Sequence, residues 1–447
     1  MKLVTIVAFD KPDSKQVLQR LGNATHDSLA QYVGPFECLF PDHRLWANFC
    51  DLISGLLSAQ STCVARINAH LPQLTKEPFY QAKRFYRFLQ NPRLLAARFL
   101  KPLYQAAAQM IQATPGRYIL VALDFSNIEK PYAYHLQGLS FLKRSSNSKG
   151  PRRKKKDTVA GYNFLTALAF TSQGVALCYA KLISYHMLSF ISTNRYTLRA
   201  IRYACLLATG RTVRFVCDRG FDDEKTFAFI CSHAAQFVIR LRRTRNLLLR
   251  TAEGLWQHEL PLEEVVDRTP SVLRFQAHFR VRGRLRHSTV SLGYREVHLH
   301  QYPQRRFWLV VARTSTLRQD WFLLTNVPVQ SDKQALQIWR NYRQRWGIEC
   351  WFRFLKEEGL HVEDFRVRYL ESISRLVNLT LIAALFALNR SLYLPAPLIQ
   401  YLLFLGGKLG VKADKDGPYL FLTGLSRLLQ ATALLSTLHH HPPALPP

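Results

Sequence analysis

Three acidic residues stand out by the company they keep. Tyr118-Ile-Leu-Val-Ala-Leu-Asp124-Phe125 is an apolar run closed by an acid, and Thr212-Val-Arg-Phe-Val-Cys-Asp218 repeats the pattern. Burying a lone carboxylate beside such a run is costly, so the pattern favours an acid kept for a chemical purpose. Asp218 also opens Asp218-Arg219-Gly220-Phe221-Asp222, where the glycine lets the backbone turn sharply. Glu349 lies in a segment with helical periodicity, residues 332–358. At about 100° per residue, Tyr342, Arg345, Glu349 and Lys356 fall at roughly 0, −60, −20 and −40°, in one stripe about 60° wide. A phenol, a guanidinium, a carboxylate and an ammonium on one face is not a core pattern. It suits a site facing an acid-bound metal and a phosphate chain. The plainer alternative is a solvated, salt-bridged face with Trp339 and Trp346 buried alongside. The two strand-end aspartates favour the chemical reading.

The elements that must carry these acids follow in a telling order. After the strand at 118–125 come two strand-like runs, 161–171 and 175–184, separated by Ser172-Gln-Gly174, a hairpin signal. A helix at 196–207, a strand at 212–218, a helix at 222–235 and a strand at 237–242 follow. That is the order of a ribonuclease-H-like mixed sheet with acids at its strand ends. Residues 243–327 turn strongly β, with runs at 271–284, 306–312 and 321–325 and arginine dominating the polar face. Apolar helical runs occupy the rest, to about residue 438. Residues 1–115 read as helical. Within them, 45–57 and 63–71 flank Ser58-Ala-Gln-Ser-Thr62, which suits an N-cap. Such a pair is a helix-turn-helix DNA reader or, more plainly, a helical hairpin.

The expected fold class is therefore α/β: a ribonuclease-H-like catalytic core with a large all-β insertion, flanked by helical N- and C-terminal regions. The divisions are a DNA-binding region at 1–115, the core's first part at 116–242, the insertion at 243–327, the core's final helix at 328–360, and a C-terminal region at 361–447 suited to dimerisation.

With these blocks in view, the sequence resembles the bacterial insertion-sequence transposases of the DDE class that carry a Tyr-x2-Arg-x3-Glu-x6-Lys signature. Tyr342-Arg-Gln-Arg345-Trp-Gly-Ile-Glu349-Cys-Trp-Phe-Arg-Phe-Leu-Lys356 matches every signature position. The blocks around Asp124 and Asp218 match the family's other two acid blocks, and Trp321-Phe-Leu-Leu-Thr-Asn326 resembles the end of its β insertion. The resemblance covers residues from about 117 to 360. It implies that Asp124, Asp218 and Glu349 are catalytic and bind two Mg²⁺ or Mn²⁺ ions. It also implies cut-and-paste transposition: hydrolysis at the element end, hairpin formation, and strand transfer to target DNA by a homodimer that binds terminal inverted repeats. Tyr342, Arg345 and Lys356 would hold phosphates, and Trp321 would stack on an extruded base unless it is simply an inward-facing strand aromatic. Arg219 is a DNA contact or a structural residue. Two other readings are a structure-selective nuclease on the same fold and a domesticated DNA-binding protein that no longer catalyses.

Composition agrees with a polyanionic partner. The 447 residues hold 61 Lys and Arg against 30 Asp and Glu, a formal charge of +31, with 48% apolar residues. That apolar share excludes wholesale disorder. The stretch from Lys143 to Lys156, including Lys154, Lys155 and Lys156, reads as a phosphate track or a solvated loop. The longest uncharged apolar runs, 376–389 and 391–407, are too short or too broken by proline to span a bilayer; the first reads as a buried core helix. The N-terminus lacks a signal-peptide pattern, and a cytoplasmic protein is expected. Eight scattered cysteines without CxxC pairs read as reduced, mostly buried thiols, and His186, His233, His298 and His300 lack zinc spacing.

Overall fold

The computed structural model describes residues 14–73, 77–144, 158–188, 190–250, 259–281, 284–315, 320–407 and 417–440. The chain opens with helices α1 (Ser14–Val33), α2 (His43–Ala59), α3 (Val64–Ala69), α4 (Pro78–Gln90) and α5 (Lys101–Ala113). Strands β1 (Tyr118–Glu129), β2 (Ser140–Lys143), β3 (Thr158–Thr171) and β4 (Gly174–Ile183) follow. Next come α6 (Thr193–Leu207), β5 (Thr212–Cys217), α7 (Glu224–Ser232) and β6 (Gln236–Arg240). The β-rich stretch holds β7 (Asn246–Leu247), β8 (Leu260–Pro261), α8 (Leu262–Asp267), β9 (Leu273–Val281), β10 (Arg284–Leu299), β11 (Tyr302–Thr314) and β12 (Trp321–Thr325). Helices α9 (Asp332–Gln344), α10 (Trp346–Lys356), α11 (Leu370–Leu388), α12 (Ala396–Leu405) and α13 (Pro418–His440) complete the chain.

The chain divides into two compact units. The first comprises Met1–Pro102, Glu129–Leu139 and Arg353–Pro447, so both terminal helical segments fall within it. Its core is helical: α2 packs on α11 and α13, and α4 on α11. Helix α11 is long and apolar enough to cross a membrane, yet 78% of its apolar window is buried inside the protein. It is the core helix that its sequence predicts. The pair α2 and α3 is a helical hairpin whose second helix spans six residues, with Val64, Ile67 and Asn68 buried. The turn hydroxyls do not cap α3. Ser61 Oγ donates to Asp364 Oδ2 (2.8 Å) and Thr62 Oγ1 to the His361 carbonyl (3.0 Å), so they tie the turn to a distant segment of this unit.

The second unit, Leu103–Ile128 and Ser140–Phe352, is built on one mixed sheet. Its strand order is β2-β3-β1-β5-β6-β12-β11-β10-β9, with β4 paired to β3. Strands β1, β5 and β6 run parallel, and β12 joins β6 antiparallel. One face buries Ile119, Val121, Leu123, Val213, Phe215 and Cys217 against Ala200, Ile201 and Ala204 of α6 and Phe227 of α7. Because strand side chains alternate, the residues after Leu123 and Cys217 project from the other face.

Four expectations need correction. The helix expected over 332–358 is two helices, α9 and α10, joined at Arg345. There the ladder tightens to three-residue bonds, Arg345 N to Tyr342 O (3.1 Å) and Ile348 N to Arg345 O (3.0 Å). Gly347 allows this close approach, since a Cβ there would come 2.5 Å from Phe170 Cε1 of β3. The single-helix angles therefore do not carry across the joint. Secondly, the β-rich stretch is not all β. Leu262, Val265 and Val266 are buried at helical spacing behind Glu263 and Glu264 of the first turn, and they form α8. Nor is it a separate sheet: β9–β12 extend the main one, and β10, too polar to read as a strand, is its sixteen-residue backbone. Thirdly, β1 runs past Asp124 to Glu129; what ends before Asp124 is its pairing with β5. Fourthly, none of the eight cysteines is in a disulfide, but only Cys63, Cys178 and Cys217 are buried.

Candidate active site

The parallel register places the first two acids. The last residues of β1 and β5 in register are Leu123 and Cys217. Asp124 and Asp218 are the next residue on each strand, so they stand side by side on the face opposite α6 and α7. Asp124 accepts a hydrogen bond from the Phe125 amide (2.8 Å), and Asp218 Oδ1 accepts one from Gly220 N (2.7 Å). A Cβ on Gly220 would lie 2.9 Å from that carboxylate oxygen, so glycine is what lets the turn fold back onto Asp218.

The same turn is bolted from behind. Asp222 is buried and accepts from the Arg242 amide (2.7 Å) through Oδ2 and from Arg245 Nε (3.0 Å) through Oδ1. Arg242 Nε donates in turn to the Arg219 carbonyl (3.1 Å), and Arg245 also binds Glu224 (2.9 Å). The sequence reading did not assign Arg242 or Arg245 any part in the site. Two arginines just beyond β6 were the available signal, but only the fold shows that they brace Asp218's turn.

Glu349, in the first turn of α10, faces this pair through Arg345. Arg345 Nη1 lies 3.4 Å from Asp124 Oδ2, and Nη2 donates to Glu349 Oε1. Arg345 Nε is buried without a partner among the described residues. Burial, then the Asp218 charge, push Asp124 up to about 7, although Arg345 and the Phe125 amide pull the other way. Burial works against the charge on Arg345, but Tyr342, Glu349 and Asp124 together hold its pKa above the ordinary value. The result is a negative pocket with a guanidinium in its midst.

The donor set fits a hard divalent cation, which takes carboxylate oxygens. The raised affinity of Asp124 for a proton comes first from burial and then from the Asp218 charge, and a cation relieves both as a proton does. Among the described residues no three His, Cys, Asp or Glu side chains are gathered closely enough to hold an ion as they stand, and the Arg345 guanidinium contacts both Asp124 and Glu349.

A sequence model of the transposase DDE domain matches residues 135–386. This is more than half of the chain. The chain belongs to the transposase DDE domain family. The match takes in Asp218 and Glu349 and begins after Asp124. No curated protein matches the chain. Membership makes DNA the partner of this transposase.

The other expected site residues of the transposase are placed variously. Tyr342 is buried, with Trp321 edge-on at 5.1 Å and the Arg345 guanidinium 5.6 Å from its ring centroid, so the phenol supports Arg345. Burial raises its pKa. Trp321 is half-buried on β12 and also meets Phe279 edge-on at 6.2 Å. Arg219 is exposed beside Asp218, with its carbonyl held by Arg242. Lys356 belongs to the first unit, where Nζ lies 3.5 Å from Glu363 Oε1. That Glu363 oxygen also accepts from the Glu129 amide (2.9 Å). Lys154, Lys155 and Lys156 lie outside the described residues.

Proposed function

We propose that this transposase carries out cut-and-paste transposition of an insertion sequence on a ribonuclease-H-like core extended by a β insertion, with Asp124, Asp218 and Glu349 as its catalytic acids. The observation that carries this reading is the adjacency of Asp124 and Asp218 after the Leu123–Cys217 pair, with Glu349 joined to Asp124 through Arg345. The three carboxylates would hold two Mg²⁺ or Mn²⁺ ions, which supply an activated water and stabilise the leaving 3′ oxygen.

The protein's own residues do the rest. The Gly220 amide and the Asp222–Arg245 brace fix Asp218, so its free oxygen is presented without reorganisation. Arg345, rigid over Tyr342, exchanges its carboxylate partners for the phosphate next to the scissile bond. Lys356 takes a DNA phosphate. Trp321 offers a ring face to the base unstacked when the freed 3′-hydroxyl attacks the opposite strand to form a hairpin. The terminal inverted repeats are read by the helical N-terminal region, and the C-terminal helices join two protomers. The five sequence divisions stand as the functional divisions of this proposal.

The test is incubation of wild-type protein and Asp124→Ala with element-end DNA and Mg²⁺. Hairpin products from the wild type alone are expected. Nicking without hairpins would select the structure-selective nuclease. Binding by both proteins with cleavage by neither would leave only a DNA-binding protein.

A further inference from the structure

Outside the three-acid site, the second unit has a cavity of about 420 Å³ between α9 and β9. Leu336, Trp339, Arg340 and Arg343 line it from the helix, and residues 275–278 line it from the strand. Two guanidinium groups face it and no carboxylate lines it. Arg340 and Arg343 are three residues apart, so they share one helix face.

Several arginines of this unit are already committed. Arg245 is paired with Asp222 and Glu224, Arg268 with Glu264, Arg306 with Glu296, and Arg345 with Asp124 and Glu349. Arg211 and Arg313 bind backbone carbonyls. Neither Arg340 nor Arg343 pairs with an acid among the described residues. Arg343 is nonetheless held in place. Its guanidinium lies 4.8 Å from the Trp339 ring centroid and 5.3 Å from that of Phe279, and Nη2 donates to the His278 carbonyl (2.8 Å). The remaining N–H groups of the fork are thus oriented before any ligand arrives, which lowers the entropy lost on binding. Trp339 is buried, and its ring backs the Arg343 guanidinium. A preoriented guanidinium and a second one on the same face, with no acid lining the cavity, make an anion site.

We propose that this cavity is a phosphodiester clamp, in which Arg340 and Arg343 hold a backbone phosphate of the DNA duplex apart from the phosphates at the three acids. The clamp rests on the reading of the chain as a DNA-acting transposase and adds a second point of grip on the same duplex. A backbone contact of this kind carries no base information, so it acts on any sequence.

The experiment is binding to a short duplex of arbitrary sequence, followed by fluorescence anisotropy over a range of salt. Each neutralised phosphate contributes close to one unit of slope in the logarithm of affinity against the logarithm of salt. Arg340→Gln and Arg343→Gln should each make the slope shallower, and the double variant by about one unit, because the two guanidinium groups share one phosphate. Between about 50 and 200 mM salt, a loss of one unit amounts to a roughly three- to fourfold smaller fall in affinity. Arg340→Lys, which keeps the charge, should retain the wild-type slope. Arg340 is exposed, so its variants test the clamp even if Arg343→Gln folds poorly. An unchanged slope in folded Arg340→Gln would overturn the clamp. So would an equal loss in Arg306→Gln, whose guanidinium is tied to Glu296, because net charge alone would then explain the effect. A wild-type protein that binds no duplex would overturn the DNA-acting reading itself, and the clamp with it.

Discussion

The guanidinium of Arg345 stands 3.4 Å from Asp124, with Nη1 facing Oδ2, while its other terminal nitrogen donates to Glu349. An arginine that the sequence marks as a phosphate contact thereby holds two acids together in the protein alone. On the proposed function, it stands where the three acids would receive a cation.

Competition between Arg345 and metal follows. Removing the guanidinium leaves three carboxylates with less positive charge nearby, so Arg345→Gln should bind Mn²⁺ more tightly without DNA. At least roughly a tenfold gain is expected from the charge removed. Calorimetric titration of the DNA-free protein measures it, and equal or weaker binding by the variant would refute the idea. Strand cleavage should fall in the same variant, because the phosphate contact is lost with the charge.

The pH response of the metal-free protein should carry the mark of Asp124. Its pKa is about 7 in the folded chain, above the ordinary value of 3.8. The folded state therefore binds more protons than the unfolded one between these values, and stability is lost as pH rises through 7. Asp124→Asn removes that loss, which is at most roughly 1.4 kcal/mol per pH unit. Melting curves from pH 5 to 8 should show the variant gaining on the wild type as pH rises. A gap that stays constant would show that Asp124 does not titrate there.

Asp222 should matter to stability and to cleavage alike. Its carboxylate is buried against Arg245, and truncating one member of such a pair leaves the other charge uncompensated. Asp222→Ala should cost about 3 kcal/mol in chemical denaturation. Its cleavage rate should fall under conditions where the variant remains folded, since the turn holding Asp218 loosens. A loss within about 0.5 kcal/mol would place Asp222 among ordinary surface residues.

The joint between α9 and α10 offers a packing test. Gly347→Ala drives a methyl into Phe170, and overpacking of this kind costs about 1–3 kcal/mol. Phe170→Leu in the same chain should return part of the loss, a coupling that a double-mutant cycle measures. If the two changes simply add, the contact does not set the joint.

Much of this protein was legible before folding is considered. The apolar runs before Asp124 and Asp218 appear as β1 and β5 because fully buried parallel strands need uninterrupted hydrophobes, a property of composition alone. The uncharged apolar run at 376–389 could be assigned to a core helix because it is shorter than a bilayer span, and the longer helix that carries it, 370–388, is mostly buried inside the protein. Elsewhere local pattern misled. Residues 332–358 keep helical periodicity throughout, yet the chain breaks step at Arg345, since the close approach of Gly347 to Phe170 depends on a residue far away in sequence. Strand β10 was missed because its polar residues hide a pattern completed by β9 and β11.

The sequence by itself determined which residues could do chemistry: three carboxylates, a spaced set of cations, and a surplus of positive charge matched to DNA. Only the tertiary structure decided their relations. The register of β1 with β5 sets Asp124 beside Asp218, the joint at Arg345 lets one guanidinium reach both Asp124 and Glu349, and Asp222 is enclosed by arginines from beyond β6. Burial makes these relations consequential, because removing water is what raises the proton affinity of Asp124 and holds Arg345 between its partners. Residue type and spacing along the chain are local properties. Desolvation and proximity across a sheet belong to the folded chain alone.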